Sequence, residues 1–169
     1  MRKKMIAAVM CVLMLLTLGA CAKKLENDGP VETYRNCKEI KAAVPGVVMS
    51  DAPSWSENIL YNVTKDDPEH PVAQIMFQVE GEYYYYCAAP CASEAEQRDL
   101  FSTSRRFTES EKVTIGSAEC TLKYSKNGTA GMLTWFDPGC NCQYCLYTDT
   151  GCGEDQVILE IAYGLLGDV

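Results

Sequence analysis

The second half of the chain is divided by turn signals into short alternating segments, and no other feature limits the fold as strongly. Gly116-Ser117-Ala118, Asn127-Gly128 and Pro138-Gly139 follow one another closely. Asn-Gly is the strongest short-range hairpin signal, and Pro-Gly fits the central positions of a type II turn. Between these turns, Val113 and Ile115 make a short strand, and Cys120, Leu122 and Tyr124 share one face of the next. Gly131 to Tyr147 then forms two strands around a tight turn, with Trp135 at its centre. Short alternating strands joined by tight turns restrict the chain to an antiparallel sheet.

The first half has the same rhythm. In 58–64, Ile59, Tyr61 and Val63 fall on one face. The loop 65–71 breaks that strand with two prolines and a charge cluster. In 72–79, Ala73, Ile75, Phe77 and Val79 face one way while Gln74 and Gln78 face the other, the pattern of a half-buried strand. Glu80-Gly81-Glu82 turns into Tyr83-Tyr-Tyr-Tyr-Cys87, with two tyrosines on each face, and 93–100 suits a helical turn or two.

Two helices bracket the sheet. Cys37, Ile40 and Val44 recur at helical spacing within 33–44, ahead of Pro45-Gly46, and Ile158, Ile161, Ala162 and Leu165 do so within 155–166. The expectation is one α+β domain over 33–169, a curved antiparallel meander of about six or seven strands carrying an N-terminal and a C-terminal helix.

The first residues belong to no fold. Arg2, Lys3 and Lys4 precede an almost wholly apolar run from Met5 to Leu18, followed by Leu18-Gly19-Ala20-Cys21. A basic start, a short apolar core and small residues mark an export signal. The run is too short for a comfortable membrane span. Leu-Gly-Ala-Cys resembles the bacterial lipobox. That resemblance implies removal of residues 1–20 and a diacylglyceryl anchor on Cys21, with palmitate-type acyl chains; an ordinary secretory signal cleaved near Ala22 is the other reading. Residues 21–32 then comprise the lipidated cysteine and a polar tether broken by Gly29-Pro30. Acyl chains hold a protein on a membrane without a spanning helix. The expected location is the extracytoplasmic face of the cell membrane.

Losing Arg2, Lys3 and Lys4 from the 15 basic residues leaves 12 against 23 acidic ones, a net charge of −11. So acidic a surface repels phosphate backbones, which excludes nucleic acid as a partner.

Ten cysteines are present. Cys11 leaves with the signal and Cys21 carries lipid, so Cys37, Cys87, Cys91, Cys120, Cys140, Cys142, Cys145 and Cys152 remain. An even set in an exported chain reads as a disulfide framework of up to four bonds. Cys87-Ala-Ala-Pro-Cys91 looks like a local loop staple. Cys140, Cys142, Cys145 and Cys152 also suggest four zinc ligands or a redox motif. Strand alternation, however, puts Cys140 and Cys142 opposite Cys145, and Cys142-Gln-Tyr-Cys145 lies within a strand, not at a helix N-terminus.

If both late turns are two-residue loops, Cys120 and Cys142 each lie opposite Trp135. The two cysteines are then about 9–10 Å apart, beyond the roughly 7 Å limit for a disulfide. His70, the only histidine, lies in the charged loop with Asp66, Asp67 and Glu69 and reads as a solvated turn residue. The Tyr83–Tyr86 run reads first as core and edge, and second as the lining of a ligand groove.

Val72-Ala-Gln-Ile-Met-Phe, Gly81 and the tyrosine-rich strand, then Val113-Thr-Ile-Gly, Thr121-Leu-Lys, Asn127-Gly, Leu133-Thr-Trp135, Tyr144 and a terminal helix form an ordered set. From Thr33 onward the chain resembles small Gram-positive lipoproteins of unknown function, related to a domain found in anti-sigma-associated proteins. The resemblance implies a curved antiparallel sheet with flanking helices, a lipid anchor and no catalytic residues. The abundant cysteines depart from that pattern.

The sequence therefore reads as a membrane-anchored binding or interaction module, not an enzyme, with no cofactor and no metal. Its partner would be an unknown protein or a small hydrophobic ligand. A thiol-based metal-binding or redox lipoprotein is the alternative. Intact mass of the mature domain before and after reduction, followed by alkylation, tests the framework. Four disulfides appear as eight missing hydrogens, whereas free thiols at Cys140, Cys142, Cys145 and Cys152 with a retained metal would favour the alternative.

Overall fold

The computed structural model describes residues 31–65, 67, 69–126, 130–149 and 157–167. The lipobox and Cys21, most of the tether, Asn127-Gly128 and Cys152 lie outside the described residues. The elements are β1 (Val31–Tyr34), α1 (Cys37–Ala43), β2 (Glu57–Thr64), β3 (Val72–Val79), β4 (Glu82–Pro90), a short 3-10 turn (Glu94–Glu96), β5 (Glu109–Ile115), β6 (Ala118–Tyr124), β7 (Gly131–Asp137), β8 (Cys142–Thr148) and α2 (Val157–Gly167).

The fold is α+β, with eight antiparallel strands among the described residues instead of the six or seven expected. Their order is β1-β2-β3-β4-β8-β7-β6-β5. This is not one meander. Two four-stranded meanders meet along β4 and β8, and the chain after β4 crosses to the far edge to begin β5.

The additional strand is β1, which occupies residues assigned above to the tether and the first helix. Asn36 explains the boundary. Its side chain accepts the Glu39 N–H at 3.0 Å and caps α1 there. Residues 33 and 34 are therefore free to pair with β2, Thr33 opposite Asn62 and Tyr34 opposite Tyr61. Lys65 ties the edge by an ion pair to Glu32 at 2.8 Å. At seven residues α1 is too short to persist alone; buried Cys37 and Ile40 hold it on the sheet.

Both faces of the central strands are covered. On one face Ile75 and Phe77 of β3, Tyr84 and Tyr86 of β4 and Leu146 of β8 pack against Ile40 of α1 and Ile161 and Leu165 of α2. Strand β3 is thus buried on both sides, not half-buried. On the second face Val72, Met76, Tyr85, Cys87, Met132, Cys145 and Tyr147 lie beneath Leu100, Phe101 and Phe107. Phe101 stacks on Tyr147 with ring centroids 4.3 Å apart. Arg98 fixes the covering segment, its N–H donating to the buried Gln143 side chain at 2.8 Å. The four tyrosines follow from this: Tyr84 and Tyr86 point to the first core, Tyr85 to the second, and Tyr83 is exposed. Strand β4 is central, so none of them serves an edge.

Turn geometry sets the registers. Glu80 and Gly81 have φ of 54° and 83° between paired Val79 and Glu82, the two left-handed residues of a type I′ hairpin. Cys120 lies opposite Trp135, as expected. Trp135, however, lies opposite Tyr144, because Asp137 pairs with Cys142. The second loop therefore spans four residues, with Asn141 at φ 52°, and the two-residue Pro138-Gly139 turn is corrected.

Phe77 has no exposed surface. Phe77→Ala should lower stability by about 3–5 kcal/mol. A Cβ on Gly81 meets nothing within 4 Å, so Gly81→Ala bears only the left-handed backbone cost, about 1–2 kcal/mol. Urea denaturation of the two variants measures the contrast.

Candidate functional site

Strand alternation places Trp135 and Tyr144 side by side on the first face, with Tyr86 beyond them. The three rings are nearly parallel. Trp135 and Tyr144 have centroids 5.0 Å apart and planes inclined by 12°. Tyr86 lies 6.1 Å from Trp135 and 6.2 Å from Tyr144. Beside them opens a cleft of about 510 Å³, walled by Met49, Leu165 and Leu166 and rimmed by Glu94, Glu119 and Asp137. Pockets for small ligands typically measure about 300–1,000 Å³ and are largely apolar with a few polar groups. A second hollow of about 930 Å³ between α1 and α2 is more open and polar. Trp55 lies across its edge so close to α2 that a Cβ on Gly164 would sit 2.8 Å from the ring.

The cleft floor is held rigidly. The Tyr144 hydroxyl donates to Val48 O at 2.7 Å and lies 3.2 Å from Cys140 Sγ. Burial, and then the Cys140 contact, hold the Tyr144 phenol far above its ordinary range. Burial does the same to Tyr86. Neither ring ionises under physiological conditions, so the floor stays neutral and apolar.

The cysteines are distributed, not clustered. Cys37 lies in the first turn of α1 with Sγ 3.6 Å from Ser50 O. Cys120 is buried opposite Trp135. Cys142 begins β8, receives the Val48 N–H at 3.4 Å and donates to Gly46 O at 3.4 Å. Cys140, in the β7–β8 turn, donates to Asp137 Oδ2 at 3.4 Å. Cys145 faces the second core, on the side opposite Cys142. Zinc ligation by Cys140, Cys142 and Cys145 therefore lacks convergence. Among the described residues no group of three or more His, Cys, Asp or Glu side chains is placed to hold a metal ion.

The loop staple between Cys87 and Cys91 is also corrected. Strand β4 runs to Pro90, and four residues of extended chain separate the two Cα atoms by about 13 Å, well beyond disulfide reach. Cys91 instead donates its N–H to Asn141 O at 2.8 Å and its thiol to Ser93 O at 3.0 Å. All seven described cysteines are free thiols in the structure. His70 is exposed, and its Nδ1 lies 2.6 Å from Asp67 Oδ2. Among the described residues no helix is long and apolar enough to cross a membrane.

Sequence reasoning allowed a ligand pocket beside the tyrosine run or Trp135 but did not find the walls of the cleft. Its walls come from α2 and from Met49, distant in sequence, and no local pattern links them. The β6–β7 register was the available clue.

Cys140 reports on the electrostatics around Tyr144 and Asp137. Burial pushes its thiol up to about 11, opposed by the Tyr144 hydroxyl and reinforced by Asp137. At pH 8 such a thiol is roughly 0.1 % thiolate. Under reducing conditions, Asp137→Ala should lower the pKa of Cys140 and speed its alkylation, whereas Tyr144→Phe should raise it and slow the reaction. The pH–rate profile of iodoacetamide labelling at the Cys140 peptide reads both shifts. No family model, curated protein or solved structure matches this chain.

Proposed function

We propose that the chain is a membrane-anchored, extracytoplasmic lipoprotein whose domain binds a small ligand bearing a flat apolar group. The observation that carries the binding reading is the cleft beside Trp135, Tyr144 and Tyr86. Its size suits a small molecule or one aromatic side chain of a peptide, and its floor is already assembled. Among the described residues the rim contributes acidic side chains and no Lys or Arg, which disfavours anionic ligands. The anchor reading comes from the lipobox resemblance at Cys21, the short apolar run before it and the polar tether.

The structure also favours one narrower version of the thiol reading. Cys140 and Cys142 lie two residues apart, Cys140 with its Sγ 3.2 Å from the Tyr144 hydroxyl and Cys142 donating to Gly46 O. A dithiol there would suit a soft metal ion or a redox step. Among the described residues the pair has no further ligands of a structural zinc site.

Trp55→Phe leaves Trp135 as the only tryptophan of two. In that variant, a neutral flat dye such as Nile red should quench Trp135 emission saturably. Adding Ala118→Leu, which fills the cleft wall, should weaken the dye by at least about tenfold. Equal affinity in both variants, or no saturable quenching, would remove the binding reading. Copper(I) or an oxidised dithiol at Cys140 and Cys142 would put the alternative in its place. Cys21→Ala should abolish palmitate labelling and release the chain from the membrane fraction.

A further inference from the structure

Strands β4 and β8 belong to different meanders, and their ladder joins the two halves of the sheet. At the middle of that seam Cys87 lies directly opposite Cys145. Opposed residues of an antiparallel pair have Cα atoms about 4.5–5.5 Å apart, inside the roughly 4.4–6.8 Å over which a disulfide closes. They also project to the same face. Both thiols lie in the second core, Cys87 with no exposed surface and Cys145 with almost none. Gln74 Nε2 donates to Cys87 Sγ at 3.5 Å from the neighbouring strand.

The sheet separates this pair from the other described cysteines. Cys37, Cys120 and Cys142 belong to the first core, and Cys140 packs against it. Cys91 follows the end of β4 and turns its thiol to Ser93 O. A bond from Cys87 or Cys145 to any of these must pass through the sheet or unpair β4.

We propose that Cys87 and Cys145 form a cross-strand disulfide that staples the first meander to the second. Two S–H bonds break and one S–S bond forms. The S–S bond of an external disulfide such as oxidised glutathione breaks in exchange, and the two electrons and two protons released by the cysteines pass to it, giving two thiols. The bond closes during folding. Once folded, burial pushes the Cys87 thiol up to about 12 and the Cys145 thiol well above its ordinary value, while Leu100, Phe101 and Phe107 cover that face. The attacking thiolate is then scarce and shielded. Pairing is a property of the fold; its presence in the cell rests on the extracytoplasmic location proposed above.

The full chain, reduced and unfolded, is refolded in a glutathione redox buffer, alkylated and digested without reduction. A peptide linking Cys87 to Cys145 is expected. Alkylated Cys87 or Cys145, or either one linked to Cys91, Cys152 or another cysteine, overturns the proposal. Cys87→Ala combined with Cys145→Ala keeps small apolar side chains at both positions and preserves the register. Reductant should lower the wild-type melting midpoint by about 5–15 °C more than that of the double variant. Equal shifts overturn the stapling role. The same peptide map of chain produced in cells tests location separately: a reduced pair there, with a linked pair after refolding, counts against export and not against pairing.

Discussion

The ladder between β4 and β8 is the interaction on which the rest of this structure depends. Each meander is a local product of its own turns, but neither four-stranded half closes a core alone. Along β4 and β8, Tyr84 to Pro90 pair with Thr148 back to Cys142. This brings Tyr86 beside Tyr144 on one face and Tyr85 beside Tyr147 on the other. The two aromatic groups, one in each core, exist only because strands distant in sequence meet there. Such long-range pairing must overcome substantial loop-closure entropy before it is rewarded, which is why a covalent bond across this seam has more effect than one within a hairpin.

The sheet then acts as a partition. On its first side, α1, α2 and the connection through Val47 and Met49 form the layer that leaves a cleft beside Trp135. On its second side, the segment around Phe101 closes directly onto Tyr85 and Tyr147, and Thr103 bonds the Tyr147 hydroxyl at 3.0 Å. Cleft and dithiol seam are therefore back to back, separated by one layer of backbone. Cys142 and Cys145 show the partition most simply. Three residues apart in one strand, they belong to different cores, and sulfur chemistry on one side has no direct access to the other.

Much of this was legible in the sequence where the determinants are local. The alternation of Ala73, Ile75, Phe77 and Val79 named the core face of β3, because a side-chain period of two is built into the strand. Helix α2 followed from Ile158, Ile161 and Leu165 for the same kind of reason. The turn at Pro138-Gly139 was misread because a type II dipeptide does not fix loop length, and left-handed Asn141 extends the loop to four residues. Strand β1 was misread because Cys37, Ile40 and Val44 carry a helical period that says nothing about where the helix starts; Asn36 decides it. The cleft and the seam were not legible, since both depend on which strands become neighbours.

The same distinction bears on the binding role proposed for the aromatic floor. Tyr144 is fixed by Val48 O and by its neighbours across two strands, so its ring has almost no conformational freedom left to lose when a ligand arrives. Its phenol and that of Tyr86 stay neutral, and the nearest thiol, Cys140, is held mostly protonated by burial and by Asp137. A nucleophile or general base needs a pKa near the working pH, and burial shifts Tyr86, Tyr144 and Cys140 upward, away from it. What the arrangement presents is a cleft beside three nearly parallel, buried rings, bordered by acidic side chains.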